Sequence, residues 1–585
     1  VITKAASKIS RASYIRLVDG RDCGDKERLF LDSLKKETKG IFYPNVPQAN
    51  FTKIPGMPIG YWISENKISI FDKIDRLRSL AHPAVGFDTQ DNGRFLRLLW
   101  EVDSKKYSVK WFPCTKGGTF RKWYGNVYYC VNWGNNGAEL KSAGANIRNS
   151  QYYFKRKGAS WSTLASGKPS FRFFSPTWLF ENKGSVCFPN NEEYLYYMMG
   201  FLNSCVASDL LDVLAPTLDF SQGSIGRIPF KIERNKFIDT VVCKSIDISK
   251  SDWDAHETSL DFEANPFVAL RNEKVAQGNL ESSFRLSVFV EQFETQWTER
   301  FMQLHENEEE LNRQFISIYG LEDELTPDVP LDEITILQQG EISIVNNGIE
   351  WHNDVLMRQL ISYAVGVWMG RYKLGAKGLH IAHPNPTDKE LQEYWYGGVQ
   401  VYIDDDGIIP ILPQSSPFDD NLVSRIADFV RITFGEEKLT ENLNYIEQKL
   451  SQSIEQYLLK DFWKDHKKMY QNRPIYWLFS SKKGAFKCLA YMHRMDAYTA
   501  ERVRSNYLLP YIEYLQNQIA DLENRASSLS TTENRRLQNL QKTLEECREY
   551  HERLQVVAEQ AIAFDLDDGV VVNYAKFGDI LSKIK

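Results

Sequence analysis

The sequence has few cysteines, no paired cysteines and no long apolar run. Its 585 residues include eight cysteines, and no two of them form a CxxC pair. This pattern excludes a zinc ribbon and disfavours a disulfide framework, so we expect a reducing, cytoplasmic setting. The longest apolar stretch, around residues 361–369, contains polar residues and is far too short to cross a bilayer. The chain opens with no secretory signal, and because position 1 is Val1 we expect further sequence upstream.

The motifs of common enzyme classes are also absent. No GxxxxGKS/T phosphate loop and no GxSxG elbow occurs, which argues against P-loop NTPases and α/β-hydrolases. His380 and His383 are the only close histidine pair, but Pro384 follows directly and no acidic ligand is close in sequence. We therefore expect no metal site there. The acidic residues at 327–333 lack a lysine at nuclease spacing, and we interpret them as an acidic loop.

Charge distribution is the first informative feature. The formal net charge is −6, but residues 105–183 contain 14 Lys and Arg against two acids, a net of +12, so the remainder carries −18. The same segment is about 23% aromatic, against 13% for the whole chain. Ammonium and guanidinium groups bind phosphates, so this excess favours contact with nucleic acid, although most of the rings should form the segment's own core. Residues 301–350, with 12 acids and one base, should face away from DNA.

Composition and periodicity predict an α+β fold with five regions. These are a mixed segment at 1–80, a mixed α/β region at 81–235 rich in Gly, Asn, Trp and Tyr, a helical spacer at 236–320, a mainly helical C-terminal domain at 321–505, and a helical hairpin with a tail at 506–585. Short strand-like runs occur at 107–112, 127–133, 171–174 and 474–479.

The last region has the apolar spacing of paired helices. Apolar residues recur at alternating intervals of four and three from 508 to 522 and again from 537 to 561. Between them, Ser530 and Glu533 have the spacing of a capping box and should start the second helix. The seam predicts antiparallel, coiled-coil-like pairing of the two helices, and a helix from a partner protein is the alternative occupant.

Three clusters in the basic segment are the candidate DNA contacts. They are Lys116, Arg121, Lys122 and Tyr124; then Asn132, Trp133, Asn135 and Asn136; then Lys155, Arg156, Lys157, Ser166 and Lys168. We expect the basic groups at phosphates, which position a protein on DNA without reading its sequence. Asparagine amides can pair with adenine edges, but the Asn-Asn-Gly string at 135–137 is equally typical of a turn. For the run at 155–157 the alternative is a solvated loop.

Several longer segments carry a family resemblance. They are residues 16–20, 54–62, 85–95, 111–125, 131–137, 158–162, 166–168 and 473–486. Together they resemble the C-terminal, target-recognition half of the PglX family, the adenine-specific DNA methyltransferases of BREX phage-defence systems. The segments follow the family's order over nearly the whole chain. Phe87 and Gln90 stand where the family has Leu and Gly, which puts the local turn in question.

The resemblance implies DNA recognition without catalysis in this chain. The family's catalytic half binds S-adenosylmethionine on a Gly-rich loop and holds a flipped adenine on an Asn-Pro-Pro-Tyr loop. Neither loop occurs in this sequence. We therefore expect no catalytic or cofactor-binding residue here, S-adenosylmethionine only in a full-length enzyme, and no methylation by this chain alone.

The expected partner is double-stranded DNA. Other BREX subunits are further candidates, as is a phage anti-restriction protein that mimics DNA and would seek the same basic surface. Three other functions remain open: a non-catalytic specificity or adaptor protein of a defence or restriction-modification complex, a fragment of a methyltransferase–nuclease fusion, and a carbohydrate- or RNA-binding module built on the aromatic residues. Duplex binding with steep salt dependence would separate the DNA-binding functions from the last of these.

Overall fold

The structure is a computed structural model that describes residues 11–35, 41–165, 167–215, 219–233, 235–278 and 283–584. Many helices and several small sheets make up the described part of the chain, which confirms the predicted α+β class. The five-region division stays a prediction. Among the described helices, none combines the length and the apolarity that a bilayer crossing requires.

The first described residues form a two-stranded sheet and three helices. The elements are β1 (Arg11–Ile15), α1 (Cys23–Leu34), β2 (Phe42–Pro47), α2 (Glu65–Lys73) and α3 (Leu77–Leu80). The strands β1 and β2 are antiparallel. Tyr14 on β1 stacks on Tyr61, with ring centroids 4.6 Å apart, so the Pro- and Gly-rich stretch at 54–62 is held against this sheet.

Two four-stranded sheets lie within residues 81–189. Their strands are β3 (Ala81–Ala84), β4 (Leu96–Leu98), β5 (Trp111–Thr115), β6 (Tyr129–Asn132), β7 (Gly158–Trp161), β8 (Phe171–Phe174), β9 (Leu179–Phe180) and β10 (Val186–Pro189), with the short helices α4 (Asn92–Phe95) and α5 (Gly134–Ser142). The strand orders are β3-β10-β7-β8 and β4-β6-β5-β9. The predicted strand at 171–174 is β8, whereas those at 107–112 and 127–133 overlap β5 and β6.

The aromatic residues of this region form its core. Every residue of β7 and β10 is buried, so both faces of the first sheet are covered. Phe174, Phe180 and Phe188 pack with ring centroids 5.5–5.9 Å apart. Such edge-to-face and tilted pairs add stabilisation beyond the buried area. Most of the aromatic excess seen in the sequence therefore stabilises the fold, as expected.

The two positions that depart from the family pattern lie at a tight turn. Gln90 has a φ of 62°, the left-handed region that favours glycine, and its backbone N–H donates to the Asp88 carboxylate over 3.2 Å. Phe87 is fully buried and its N–H donates to the carbonyl of Phe180. The turn therefore forms with glutamine in a backbone conformation where the resemblance leads us to expect glycine.

Six helices follow the sheets. They are α6 (Leu195–Leu202), α7 (Cys205–Leu214), α8 (Gln222–Arg227), α9 (Lys236–Asp254), α10 (Pro266–Ala276) and α11 (Leu286–Tyr319). The 34-residue α11 buries a stripe at helical spacing that includes Phe289, Phe293 and Trp297. It ends at Gly320, whose φ of 66° gives the left-handed cap. Helix α9 packs on both α6 and α11.

The next region is mainly helical around a small sheet. Its elements are β11 (Ile342–Val345), β12 (Gly348–Trp351), α12 (Asn353–Trp368), α13 (Asp388–Leu391), β13 (Tyr394–Tyr396), β14 (Val399–Val401), β15 (Ile408–Pro410), α14 (Leu422–Phe434), α15 (Leu439–Leu450), α16 (Ile454–Lys460), α17 (Phe462–Met469), β16 (Tyr476–Ser480) and β17 (Lys487–Tyr491). The antiparallel order is β15-β17-β16. Every residue of β16 is buried, which confirms the buried strand predicted at 474–479.

The last described helices include the predicted pair. They are α18 (Thr499–Arg502), α19 (Leu509–Glu523), α20 (Thr531–Glu559) and α21 (Gly569–Lys576). The capping box is confirmed: the Ser530 hydroxyl accepts from the Glu533 N–H, and the Glu533 carboxylate accepts from the Ser530 N–H over 2.8 Å. Helices α19 and α20 pack on each other, while the coiled-coil character of their seam stays a prediction.

One aspartate joins the end of the chain to the sheets. The Asp567 carboxylate accepts from the ammonium groups of Lys106 and Lys110, each over 2.7 Å, and from the Trp111 indole over 2.9 Å. Burial alone would raise the pKa of Asp567, but the hydrogen bonds from the two lysines lower that pKa to about 2. The segment before α21 is therefore attached to the start of β5 and to the residues that precede it.

A tight backbone contact at Gly86 gives a test of this region. A Cβ atom on Gly86 would lie 1.7 Å from the Phe180 carbonyl oxygen, so the backbone would have to move. We expect Gly86→Ala to lower the free energy of unfolding by about 1–3 kcal/mol through overpacking. Urea unfolding measures the loss. Gly223→Ala, whose Cβ would meet nothing closer than 3.6 Å, is the control and should cost nothing; equal losses would contradict the contact.

Candidate nucleic-acid interface

Three members of the first predicted cluster, Arg121, Lys122 and Tyr124, lie inside the protein. Arg121 and Lys122 are 5% and 7% exposed. The Arg121 guanidinium binds the Asp252 carboxylate on α9 over 2.7 Å, and the Lys122 ammonium binds the Glu308 carboxylate on α11 over 2.6 Å. Tyr124 is buried as well. A phosphate-binding role for Arg121 and Lys122 is not supported by this geometry, because both charges point into the helices.

The second cluster surrounds a left-handed turn after β6. Asn135, Asn136 and Gly137 have φ values of 50°, 55° and 70°. Asparagine and glycine tolerate this region, which gives the turn explanation a structural basis. Asn132 is buried and donates to the Glu139 carboxylate over 3.0 Å, and Trp133 is buried too.

The turn also leaves two amides exposed. Asn135 and Asn136 are both exposed, and their side-chain amides make no hydrogen bond within the part of the chain that the structure describes. An amide held on a fixed backbone and open to solvent can pair with a base edge. Turn formation and base contact are therefore compatible at these two residues.

The third cluster begins in the loop before β7. Lys155 and Lys157 are exposed, whereas Arg156 is half-buried and donates to the carbonyls of Pro189 and Asn190. Phe154 has a φ of 57°, and its ring lies 5.2 Å from that of Phe112 on β5. The loop is thus attached to the second sheet through Phe154 and to the end of β10 in the first sheet through Arg156.

The structure brings the second and third clusters together. The ring of Trp133 packs edge-on against Tyr153, with centroids 5.4 Å apart, and Tyr153 leads directly into the 154–157 loop. The ammonium of Lys141, at the end of α5, lies over the Trp133 ring at 5.5 Å. We call the exposed residues of this area the corner surface; they are Asn135, Asn136, Lys141, Lys155 and Lys157.

Lys141 was missed by the sequence analysis. It stands alone in sequence and reaches the corner surface only because α5 folds back over Trp133. Helical spacing could not have indicated this contact, because the left-handed residues 135–137 interrupt the helix between Trp133 and Lys141.

The remaining predicted contacts are dispersed. The Lys116 ammonium lies 5.3 Å from the centre of the Tyr129 ring. Lys168 is exposed and pairs with the Glu333 carboxylate over 2.6 Å. Ser166 lies outside the described residues. Asn132 pairs with Trp111 at the start of β5, whereas Lys116 follows the last residue of that strand. Lys116 and Lys168 therefore do not extend the corner surface.

Acids from elsewhere in the chain neutralise much of the basic segment. Seven of its 14 Lys and Arg lie within 4.0 Å of a carboxylate outside residues 105–183. The pairs are Lys105–Glu390, Lys106–Asp567, Lys110–Asp567, Arg121–Asp252, Lys122–Glu308, Arg156–Glu192 and Lys168–Glu333. The charge available to a polyanion is therefore well below the +12 counted in the sequence.

The histidine pair is occupied by other partners. A His383 ring nitrogen lies 2.9 Å from the Glu390 carboxylate, and a His380 ring nitrogen lies 2.8 Å from the Glu390 carbonyl. Within the described ranges, the one group of three close acidic or metal-ligating side chains is Asp404, Asp405 and Asp406. Asp404 accepts hydrogen bonds from the backbone N–H groups of Gly407 and Ile408, which accounts for its position in a turn.

Comparison with known proteins gives full-length relatives. The sequence is 34% identical to the adenine-specific methyltransferase BrxX of Escherichia coli O9:H4 (strain HS) in an alignment of 619 positions, covering 100% of this chain and 49% of BrxX. The resemblance to PglX is confirmed. The sequence is 33% identical to the adenine-specific methyltransferase PglX of Lacticaseibacillus casei (strain Zhang), covering 96% of this chain and 48% of that protein. The chain thus spans about half the length of these curated relatives, and no protein-family profile matches it.

The buried pair between Lys122 and Glu308 can be tested by stability. Changing Glu308→Gln leaves a buried ammonium without its counter-ion, and we expect a loss of about 3–5 kcal/mol in the free energy of unfolding. Urea denaturation followed by tryptophan fluorescence measures it. Glu333→Gln, which frees only the exposed Lys168, should cost about 0–1 kcal/mol.

A double variant separates the charge from the packing. In Lys122→Met with Glu308→Gln, no charge is left buried and the new amide can still accept from the Trp123 indole, which now donates to Glu308 over 2.8 Å. Most of the lost stability should return. Small and similar losses in Glu308→Gln and Glu333→Gln would show that the inner pair is not desolvated.

Proposed function

We propose that this chain is the DNA-recognition half of an S-adenosylmethionine-dependent adenine-N6 DNA methyltransferase of a BREX-type phage-defence system. It binds duplex DNA and positions the target adenine for a catalytic domain that lies outside this chain. The observation that carries the proposal is the similarity along the whole chain to two proteins named as adenine-specific methyltransferases.

The corner surface supports a DNA-binding role. It places three exposed lysines beside two exposed asparagine amides on a turn fixed by backbone geometry. Lysines at phosphates orient a protein on the duplex, and amides can distinguish base edges. The sequence also led us to expect lysines at phosphates and amides at bases. Fewer basic groups are available for this role than the sequence suggested.

Catalysis belongs to the other half of such an enzyme in this proposal. The sequence holds neither a Gly-rich cofactor loop nor an Asn-Pro-Pro-Tyr loop, so S-adenosylmethionine and the flipped adenine would bind elsewhere. A cytoplasmic location and contacts with other BREX subunits, or with a phage protein that mimics DNA, form part of the proposal.

The missing catalytic loops also favour a second candidate, a non-catalytic specificity or adaptor protein. The sequence of the native gene distinguishes the two candidates. A methyltransferase core upstream in the same reading frame supports the first candidate, and its absence supports the second.

The corner lysines can be tested by the salt dependence of DNA binding. We expect Lys155→Gln with Lys157→Gln to weaken binding to every duplex, because phosphate contacts carry no sequence information. The slope of log affinity against log salt should flatten by about 2, at roughly 0.9 for each lost phosphate contact. Fluorescence anisotropy between 50 and 300 mM salt, roughly the range over which such slopes are measured, gives the value. Lys389→Gln with Lys542→Gln, at two exposed lysines outside the corner surface, is the matched control. An unchanged slope in the Lys155 and Lys157 double variant would place the DNA elsewhere.

Asn135 tests base contact against turn formation. If its amide contacts a base, Asn135→Ala should cost about 1–3 kcal/mol on the cognate site and leave the salt slope unchanged. If the residue only shapes the turn, cognate and non-cognate binding should fall together with a lower melting temperature. Asn135→Gly preserves the left-handed turn without the amide, so it should lose cognate affinity only in the first case.

A further inference from the structure

A large groove lies far from the corner surface in sequence. It has a volume of about 1100 Å³ and is formed by the turn between β16 and β17, by α20, and by α21 with the residues that follow it. Ligand pockets for small molecules reach about 1,000 Å³, so the groove can hold more than one nucleotide-sized group.

The turn at the edge of the groove is fixed by a single acid. The Glu546 carboxylate on α20 accepts from the Ser481 hydroxyl and from the Lys483 backbone N–H, each over 2.6 Å, and from the Ala485 N–H over 3.3 Å. Although burial opposes it, these hydrogen bonds hold the pKa of Glu546 below its usual value. The side chains of this turn are thus presented on a preformed backbone.

The opposite wall is also held in place. Ser582 donates its backbone N–H to Leu478 on β16 over 2.8 Å, and Tyr550 on α20 donates its hydroxyl to the Ile580 carbonyl over 2.7 Å. The residues after α21 therefore run along the edge of the small sheet, and the groove between this segment and the turn is part of the packed structure.

Basic side chains dominate the lining. The cations are Arg473, Lys482, Lys483, Lys487, Arg553 and Lys583, and the acids are Glu549 and Asp579. Lys482, Lys483 and Lys583 are exposed, and in the described portion of the chain no carboxylate lies within 4.0 Å of their ammonium groups. Arg553 pairs with Asp579 over 2.7 Å. Arg473 lies 3.7 Å from the Glu101 carboxylate. The excess of positive charge in the groove therefore rests on the three exposed lysines and on Lys487.

One lysine sits deeper than the others. The Lys487 ammonium donates to the Leu459 carbonyl, and its stem packs beside Gly484 in the turn, where a Cβ would lie 2.6 Å from the Lys487 Cε. Burial lowers the pKa of Lys487, and no carboxylate of the described residues offsets that effect. A bound anion would supply the missing counter-charge.

The floor between the cations is apolar. It includes Val571, Tyr574 and Leu581, and the Tyr574 side chain is buried against the Trp477 ring at 5.0 Å. A cationic rim over an apolar floor suits a nucleic-acid backbone whose phosphates meet the lysines while its sugars lie on carbon surface.

We propose that this groove is a second phosphate-binding site, separate from the corner surface, and that nucleic-acid backbone occupies it. Lys482, Lys483 and Lys583 contact phosphates at the rim, and the more deeply placed Lys487 adds a further positive charge to the site. The identity of the ligand as nucleic acid rests on the proposed function; the phosphate chemistry of the groove does not. A free nucleotide offers the same phosphate chemistry and is the other source of the ligand.

The test uses the full chain and neutralises the exposed rim. In the variant Lys482→Gln, Lys483→Gln, Lys583→Gln, the slope of log affinity for a duplex against log salt should flatten by about 2–3, with affinity near 0.15 M salt falling by up to about 100-fold. The control changes three exposed lysines outside the groove and the corner surface, Lys73, Lys389 and Lys542, to Gln and should leave the slope unchanged. Equal melting temperatures of the variant and the wild-type chain confirm folding. If the triple variant is destabilised, Lys583→Gln alone replaces it, and the slope of log affinity against log salt should then flatten by about 0.9.

A second arm separates the sources of phosphate. Calorimetry measures the affinity of the wild-type chain and of the variant for inorganic tripolyphosphate and for ATP, in the absence of DNA. Loss of tripolyphosphate or ATP binding in the variant, with DNA binding intact, supports the site with a free polyphosphate as its ligand. If the wild-type chain binds no duplex, the proposed function fails while this arm still tests the groove. Unchanged binding of duplex, tripolyphosphate and ATP in the rim variant overturns the proposal.

Discussion

Two adjacent buried charges fix how the sheet region meets the helices. Arg121 and Lys122 leave the same loop and bind Asp252 on α9 and Glu308 on α11. Removing such groups from water costs several kcal/mol for each ion, so each needs its partner in place. The loop, both helices and the neighbouring Trp123 can therefore satisfy their polar groups only in one mutual arrangement. This constraint sets the orientation of the sheets that present the corner surface.

These ion pairs change how the positive charge of residues 105–183 is interpreted. A count along the sequence treats 14 cations as one surface, but folding directs half of them to carboxylates from other regions. Of the other seven, Arg172 is buried, and Lys141, Lys155 and Lys157 lie on the corner surface. The same principle applies to the acidic stretch at 301–350, since Glu308 and Glu333 serve as counter-ions for Lys122 and Lys168. In the proposed function, DNA contact therefore depends on a small number of unneutralised lysines rather than on the total charge.

Features with a local cause could be predicted from the sequence. The Ser530–Glu533 capping box and the buried strand β16 depend on neighbouring residues or on a continuous apolar run, and the α+β class follows from composition. The resemblance to PglX rests on several separate motifs. The burial of Arg121 and the ion pair of Lys122 could not be predicted, because their partners lie 131 and 186 positions away. Lys141 was missed for a different reason: its contact with Trp133 is local in sequence but depends on the left-handed turn at 135–137.

The attachment of Asp567 to the start of β5 has a consequence for biosynthesis. Trp111 leaves the ribosome 456 residues before Asp567. At about 5–20 residues per second, the interval is roughly half a minute to a minute and a half. During that time Lys106, Lys110 and the Trp111 indole lack the carboxylate that later binds all three. The nascent sheet region is thus a cationic, incompletely satisfied surface, and we infer that its final form is reached only after translation of the last helices.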